Sequence, residues 1–133
     1  MVPIDHATLH ARDFGGKPED YLPVDKFLDS TKLHCADYRH RAILHSSFGI
    51  DLAEQVFGDS IINSDGARIP VREIARRHIM QDCSCVPTVK EWLDALCTGQ
   101  AQKFNRPDKR ELAWLNKHVY KKDVPDGMEA VAT

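Results

Sequence analysis

The segment from Leu33 to Phe57 constrains the fold most, because its apolar residues fall on two opposite sides at helical spacing. One side carries Leu44, Phe48, Leu52 and Val56, and the other carries Ala36, Ile43, Ile50 and Phe57. A helix that is apolar on both sides is usually buried between neighbours. We therefore predict one long central helix that ends at Gly58, inside a compact, mostly α (α+β) domain.

Turn and capping signals predict the remaining elements. The stretch Asn63-Ser64-Asp65-Gly66 lies between two short β-like runs, which predicts a single β-hairpin near residues 60–71. Thr88 and Glu91 form a capping box that opens a helix. Helices are predicted over residues 5–13, 24–30, 71–82, 88–97 and 107–120, with a turn or short 3₁₀ piece over 17–23.

Composition excludes a membrane-spanning protein and favours a cytoplasmic one. A chain of 133 residues forms one domain, and no run of about 18 apolar residues is present. The first residues lack the basic and apolar regions of a signal peptide. We therefore expect the four cysteines to be reduced thiols. These are Cys35, Cys83, Cys85 and Cys97.

Charge divides the chain into a core and a C-terminal addition. Residues 1–99 carry 11 Lys and Arg against 15 Asp and Glu, a net charge of −4, whereas residues 100–122 carry 7 against 2, a net charge of +5. We predict a helical core over 1–99, and over 100–133 a basic helix with a frayed tail. Nucleic acid is a disfavoured partner because the whole chain is slightly acidic.

His78 and Asp82 are the strongest candidates for catalytic residues. At helical spacing both point the same way as the apolar face of their own helix, formed by Val71, Ile74 and Ala75. A buried carboxylate is costly unless it is paired, hydrogen-bonded or bound to metal. The pair is therefore either a metal-ligand or acid/base pair, or a hydrogen bond that fastens two helices.

Further histidines and aspartates at helical spacing predict a metal site drawn from several helices. Imidazole and carboxylate ligands suit zinc, manganese or iron. The competing interpretation is structural, with Asp37 and Arg41 forming an ordinary i,i+4 salt bridge. The predicted metal ligands are His6, Asp37, His40, His45, His78 and Asp82.

Several motifs in order resemble a family of small uncharacterised proteins from bacteria and bacteriophages. They are His6-Ala7, Phe14 to Leu22, Asp37 to Ala42, Asn63 to Gly66, His78 with Asp82, and Pro87 to Leu93. The resemblance covers about residues 6–93. The chain departs from the family pattern at Arg76-Arg77 and at Cys83 and Cys85, which weakens any role for these cysteines. The resemblance implies origin and fold more than activity.

These patterns favour a small metal-binding protein, with hydrolysis of a phosphate-containing substrate as its expected activity. The alternative is a non-catalytic phage or bacterial accessory protein that binds a host protein. Its binding surface would include the basic segment over residues 100–133. The sequence decides neither the substrate nor the partner.

Overall fold

The computed structural model describes residues 1–99, 104 and 109–118. Two short 3₁₀ segments, Ser30–Leu33 and Tyr38–His40, connect the second helix to the third. An antiparallel hairpin of β1 (Ser60–Ile62) and β2 (Arg68–Pro70) follows the fourth helix. The predicted mostly helical class with a small β element is thus confirmed. The described helices are α1 (Pro3–Phe14), α2 (Pro18–Leu28), α3 (Arg41–Leu44), α4 (Ser47–Phe57), α5 (Val71–Cys83), α6 (Val89–Thr98) and α7 (Lys109–His118).

The core lies where α2 packs against α1, α4 and α5. Burial of large apolar side chains stabilises it by about 25 cal/mol for each Å² removed from water. Its largest fully buried apolar side chains are Tyr21, Val24, Leu28, Val71, Ile74, Ile79 and Trp92. This packing brings the inner faces of α1, α2 and α5 together, and the candidate site lies between them.

The predicted long central helix is wrong, because the chain breaks between α3 and α4. His45 leaves the helical region at φ −87° and ψ 58°, and Ser46 is extended. The Ser46 hydroxyl then accepts a hydrogen bond from the Gly49 amide, which starts α4 as an N-cap. A Cβ atom at Gly49 would overlap the Leu44 carbonyl, so glycine permits this tight junction. The break therefore divides both predicted apolar faces. Leu44 and Ile43 lie on α3, whereas the residues of each face from Phe48 onwards lie on α4.

The predicted turn over residues 17–23 is also wrong, because those residues begin α2. Pro18 occupies the first helical turn, where its missing N–H is not needed. The Asp20 carboxylate accepts a hydrogen bond from the Lys17 amide at 2.8 Å, and Pro23 is accommodated inside the helix. The longer helix places Asp25 one turn before Asp29, its C-cap residue.

The predicted hairpin is present, and Asn63 fastens it to α1 and α2. The Asn63 Oδ1 atom accepts hydrogen bonds from the amides of Asp65 (3.0 Å) and Ala67 (2.9 Å). Its Nδ2 atom donates to the Phe14 carbonyl (3.3 Å) and the Tyr21 hydroxyl (3.2 Å). Asn63 therefore serves both the turn and the packing of the turn against the helices.

The C-terminal predictions are only partly within the described residues. The Thr88–Glu91 capping box is present at the start of α6. The described part of the predicted last helix is α7, whereas the predicted division at residue 99 and the tail fall mainly outside the described residues. All four cysteines are free thiols. Among the described helices, none is long and apolar enough to cross a membrane.

We expect the substitution Asn63→Ala to lower the free energy of unfolding by about 1–3 kcal/mol, because it removes buried hydrogen-bond partners. Urea unfolding followed by circular dichroism measures this change. Ser64→Ala is the control, since Ser64 Oγ donates only one exposed hydrogen bond, to Asp20. Equal stability of the two variants would refute the fastening role of Asn63.

Candidate metal centre

His78 and Asp82 both point into the interior, as the apolar face of α5 predicts. The His78 side chain is fully buried, and the Asp82 side chain is 2% exposed. Their closest atoms, His78 Nε2 and Asp82 Oδ2, are 3.5 Å apart. The pair is part of a larger group of polar side chains from three other elements.

The break after α3 directs His45 into the same interior region. Trp92, fully buried on α6, donates its indole N–H to the His45 carbonyl at 2.8 Å. The Ser47 amide donates to the Pro87 carbonyl at 2.9 Å, which holds the following turn. These contacts fix the His45 backbone, and its imidazole is fully buried.

Asp29, His45, His78 and Asp82 form a convergent set, called here the His/Asp cluster. Each offers one ligand atom, and all four atoms lie within 4.8 Å of one another. His45 Nε2 lies 2.8 Å from Asp82 Oδ2, 3.1 Å from His78 Nε2 and 3.4 Å from Asp29 Oδ1. His78 Nε2 lies 3.2 Å from Asp29 Oδ1. Ligands bound tetrahedrally at about 2.1 Å from an ion are about 3.4 Å apart, so this spacing suits a single ion.

Asp25 supports the cluster from behind His78. Its side chain is fully buried, and its Oδ1 atom accepts hydrogen bonds from His78 Nδ1 (2.8 Å) and His10 Nε2 (2.9 Å). A carboxylate that accepts the Nδ1 proton of a histidine fixes the ring so that Nε2 faces a metal. Asp25 thus orients the Nε2 atom of His78 towards Asp29 and His45.

His6 lies at the edge of the cluster. Its ring stacks on His78 with the ring centroids 3.7 Å apart, and its Nδ1 atom donates to Gln81 Oε1 at 2.5 Å. The Nε2 atom faces Asp82 Oδ1 at 3.3 Å and forms no hydrogen bond with any described group. His6 is therefore a fifth candidate ligand beside the four cluster residues.

The two cluster histidines have opposite protonation in the metal-free protein. Burial alone would lower the pKa of His78, but its hydrogen bonds to Asp25 and Asp29 outweigh burial and raise the pKa to about 9. Burial dominates at His45 and lowers its pKa to about 4, although Asp82 acts against it. At neutral pH His78 is a cation, and neutral His45 donates its Nε2 proton to Asp82.

The cluster carboxylates remain ionised despite their burial. Burial raises the pKa of Asp82, but the imidazoles of His45 and His6 and the Arg41 charge hold it well below its usual range. Arg41 Nη2 lies 3.7 Å from Asp82 Oδ1, and the Met1 amino group lies 3.4 Å from the same atom. Burial is the largest single effect on the pKa of Asp29 and raises it, but the His78 hydrogen bond and the charges of His78 and His45 together lower the pKa below its usual value.

Two predicted ligands, Asp37 and His40, lie outside the cluster. The Asp37 carboxylate pairs with the Arg39 guanidinium at 2.7 and 2.8 Å and also accepts the Arg39 amide. His40 donates its Nδ1 proton to the Asp37 carbonyl at 2.8 Å, and its ring centroid is 6.0 Å from that of His45. Burial lowers the pKa of His40. The structure thus brings together His45, His78 and Asp82, with His6 beside them.

Sequence reasoning missed Asp25 and Asp29, although a signal for them exists. The two are four residues apart on α2, which is the spacing that singled out His78 and Asp82 on α5. Asp25 is also next to Val24, a core residue. Both residues lie in the predicted helix over residues 24–30, which is too short to show the common inward direction of the two carboxylates.

The cluster opens to the surface through Asp29. This residue, 12% exposed at its side chain, lies on the wall of a cleft of about 610 Å³. His40 and Arg41 line the same cleft. A small molecule in the cleft would therefore reach the Asp29 side of the cluster, while His45 and His78 stay buried.

These observations define a small, mostly helical protein with a buried His/Asp cluster at the base of a cleft. The family model described as "Domain of unknown function (DUF6915)" matches residues 1–101, so the chain belongs to that family. The match includes all five candidate ligands described above. No curated protein and no solved structure matches the chain.

We expect His78 and His45 to titrate about 5 pH units apart in the metal-free protein, since their pKa values are about 9 and about 4. Long-range ¹H–¹⁵N NMR spectra of the imidazoles measure both values. Because the folded-state pKa of His78 is raised, its stabilising charge is fully present below about pH 6.5 and is lost as the pH rises through 9. Titration of both rings near pH 6.5 would refute this assignment.

Proposed function

We propose that the chain binds one divalent transition-metal ion in the His/Asp cluster and uses it to hydrolyse a phosphate-containing substrate. The observation that carries the proposal is the convergence of four ligand atoms within 4.8 Å, one of them from Asp29 on the wall of a cleft. Two imidazole nitrogens and two carboxylate oxygens are a donor set that occurs in hydrolytic metal sites.

The donor set favours zinc, manganese or iron over softer ions. The cluster contains no thiolate, and soft ions such as Cu(I) select for thiolate or thioether ligands. Cys83 is next to Asp82 in sequence, but burial raises the pKa of its thiol to about 12, so it remains protonated. The expected ligands are therefore Asp29, His45, His78 and Asp82, with His6 as the candidate fifth.

The imidazoles differ in how well they are prepared to bind the ion. The Nδ1 proton of His78 already has Asp25 as its acceptor, so loss of the Nε2 proton leaves a correctly oriented lone pair. His45 must move its proton from Nε2 to Nδ1, which has no hydrogen-bond partner among the described groups. His78 is thus correctly oriented but must lose its Nε2 proton to bind the ion, whereas binding at His45 includes the cost of the tautomer change.

The proposed reaction needs only water and the substrate. A bound divalent ion lowers the pKa of its water and polarises a phosphoryl oxygen. The water oxygen forms a bond to phosphorus, the ester P–O bond breaks, and a proton passes to the leaving alcohol oxygen. His78 and Asp82, the predicted catalytic pair, take part as ligands, and Arg41 next to Asp82 faces the developing charge from the cleft wall.

We expect the protein, prepared without an affinity tag, to bind about one equivalent of zinc, manganese or iron. Elemental analysis after gel filtration measures the metal content. Free metal at 100 times its Kd would add about 2.7 kcal/mol to the free energy of unfolding, so a chelator should lower the melting temperature. Less than a tenth of an equivalent, with an unchanged melting temperature in chelator, would end the metal hypothesis.

The location of the ion is tested by comparing a substitution of a cluster carboxylate with a substitution of an exposed carboxylate elsewhere. Asp29→Asn is the most informative variant because Asp29 is at the rim of the cluster, where substitution disturbs the core least. The Asp29→Asn substitution should weaken metal binding about 10- to 100-fold. Asp94→Asn is the matched control, since Asp94 is exposed and pairs only with Lys90. Equal metal affinity in both variants would place the ion elsewhere.

We expect the metal-loaded protein to release 4-nitrophenol from 4-nitrophenyl phosphate, and the metal-free protein to be inactive, because the ion supplies the ionised water. Readdition of the metal should restore activity. Asp29→Asn should lose activity in parallel with metal content, while Asp94→Asn keeps it. Full metal content without turnover of any phosphate ester would limit the function to metal binding.

The second function predicted from the sequence, capture of a host protein by residues 100–133, stays a prediction. Most of this segment is outside the described residues. The predicted bacterial or bacteriophage origin stays a prediction too.

A further inference from the structure

We propose that the cleft beside the His/Asp cluster is a binding site for the terminal phosphate of a small phosphomonoester. This inference rests on the proposed function and specifies its substrate class. The side chains that carry it are three cations on the cleft wall, Lys26, Lys32 and Arg41.

The cleft has a charge opposite to that of the whole chain. The chain has a formal net charge of −2, but the charged side chains that line the cleft are three cations and a single carboxylate, Asp29. Asp29 belongs to the His/Asp cluster, so a bound metal would neutralise it. The part of the cleft beyond the cluster is therefore positive, which favours an anionic ligand.

The two lysines are available to a ligand. Within the described part of the chain, neither Lys26 nor Lys32 forms an ion pair, and both residues are exposed. Several other basic side chains of residues 1–99 are paired, including Arg72 with Asp51, Arg77 with Asp13, and Lys90 with Asp94. A lysine without a carboxylate partner contributes its full charge to the cleft.

The charge balance favours a monoester over a diester. One divalent ion balances Asp29 and Asp82, which leaves the two positive charges of Lys26 and Lys32 beside Arg41. A phosphomonoester carries a charge of about −1.5 to −2 at pH 7, because its second pKa is about 6. A phosphodiester carries only one negative charge, so it neutralises less of the cleft.

The dimensions of the cleft favour a small molecule over a polymer. A volume of about 610 Å³ is within the usual range for small-molecule sites. The cleft is also lined by the apolar residues Val2, Pro3, Leu33 and Ala36. The phosphate would face Arg41 and the cluster, and the organic part of the ester would contact these apolar residues.

Calorimetric titration of the metal-loaded protein with phenyl phosphate, methyl phenyl phosphate, inorganic phosphate and malonate tests the proposal. We expect phenyl phosphate and inorganic phosphate to bind at least tenfold more tightly than the diester, with affinity falling as salt increases. Malonate is the control ligand, because it carries two negative charges but contains no phosphate group. If malonate or the diester binds as tightly as phenyl phosphate, the proposal is overturned.

Lysine variants test the location of the site. Lys26→Gln and Lys32→Gln should each raise the Kd for phenyl phosphate about two- to fivefold, because each removes one partly solvated charge. Lys90→Gln is the matched control and should leave the Kd unchanged, because Lys90 is an exposed residue of α6 outside the cleft. Melting temperatures verify folding of all three variants. Equal Kd values in all three variants would overturn the proposal.

The metal content of each preparation separates this proposal from the proposed function. Metal-loaded protein that does not bind phosphate overturns the phosphate site and leaves metal binding intact. Protein that binds no metal overturns the proposed function. The metal-free protein can still be tested for the anion site. The site is supported if Lys26→Gln and Lys32→Gln weaken phosphate binding and Lys90→Gln does not.

Discussion

The structure depends on keeping three aspartate side chains inside the protein. Asp25 is fully buried, Asp82 is 2% exposed at its side chain, and Asp29 is 12% exposed. Moving an unpaired carboxylate out of water costs several kcal/mol, so each needs a cation or strong hydrogen-bond donors. Imidazoles from α1 and α5 and from the α3–α4 junction supply these donors. The packing of α1 and α5 against α2 is therefore also the arrangement that satisfies the carboxylates.

The break between α3 and α4 shows how the core and the site depend on the same junction. A continuous helix would satisfy local hydrogen bonds, yet Ser46 caps a new helix and Gly49 lets α4 begin against the end of α3. The indole of Trp92 then binds the carbonyl that His45 exposes at the break. These contacts compensate for the interrupted helix, and they turn the His45 imidazole inwards.

Sequence patterns predict the local elements better than the site. The Thr88–Glu91 capping box and the Asn63 turn are encoded within a few residues, so both could be predicted. The inward direction of His78 follows from the apolar face of α5. The break at His45 depends on Trp92, which is 47 residues further along the chain, and no local pattern reveals such a contact. Asp29 lies in the predicted helix over residues 24–30, but seven residues are too few to show which face of that helix is buried.

Without a metal, a proton occupies the position that the proposed ion would take. His78 Nε2 faces Asp29 Oδ1 at 3.2 Å, and the proton retained by His78 satisfies this contact. His6 donates Nδ1–H to Gln81, and its Nε2 atom faces Asp82 Oδ1 at 3.3 Å. This contact is attractive only when a proton or a metal ion lies between the two atoms. A metal ion would satisfy all of these atoms together, whereas one proton on His78 satisfies only part of the cluster.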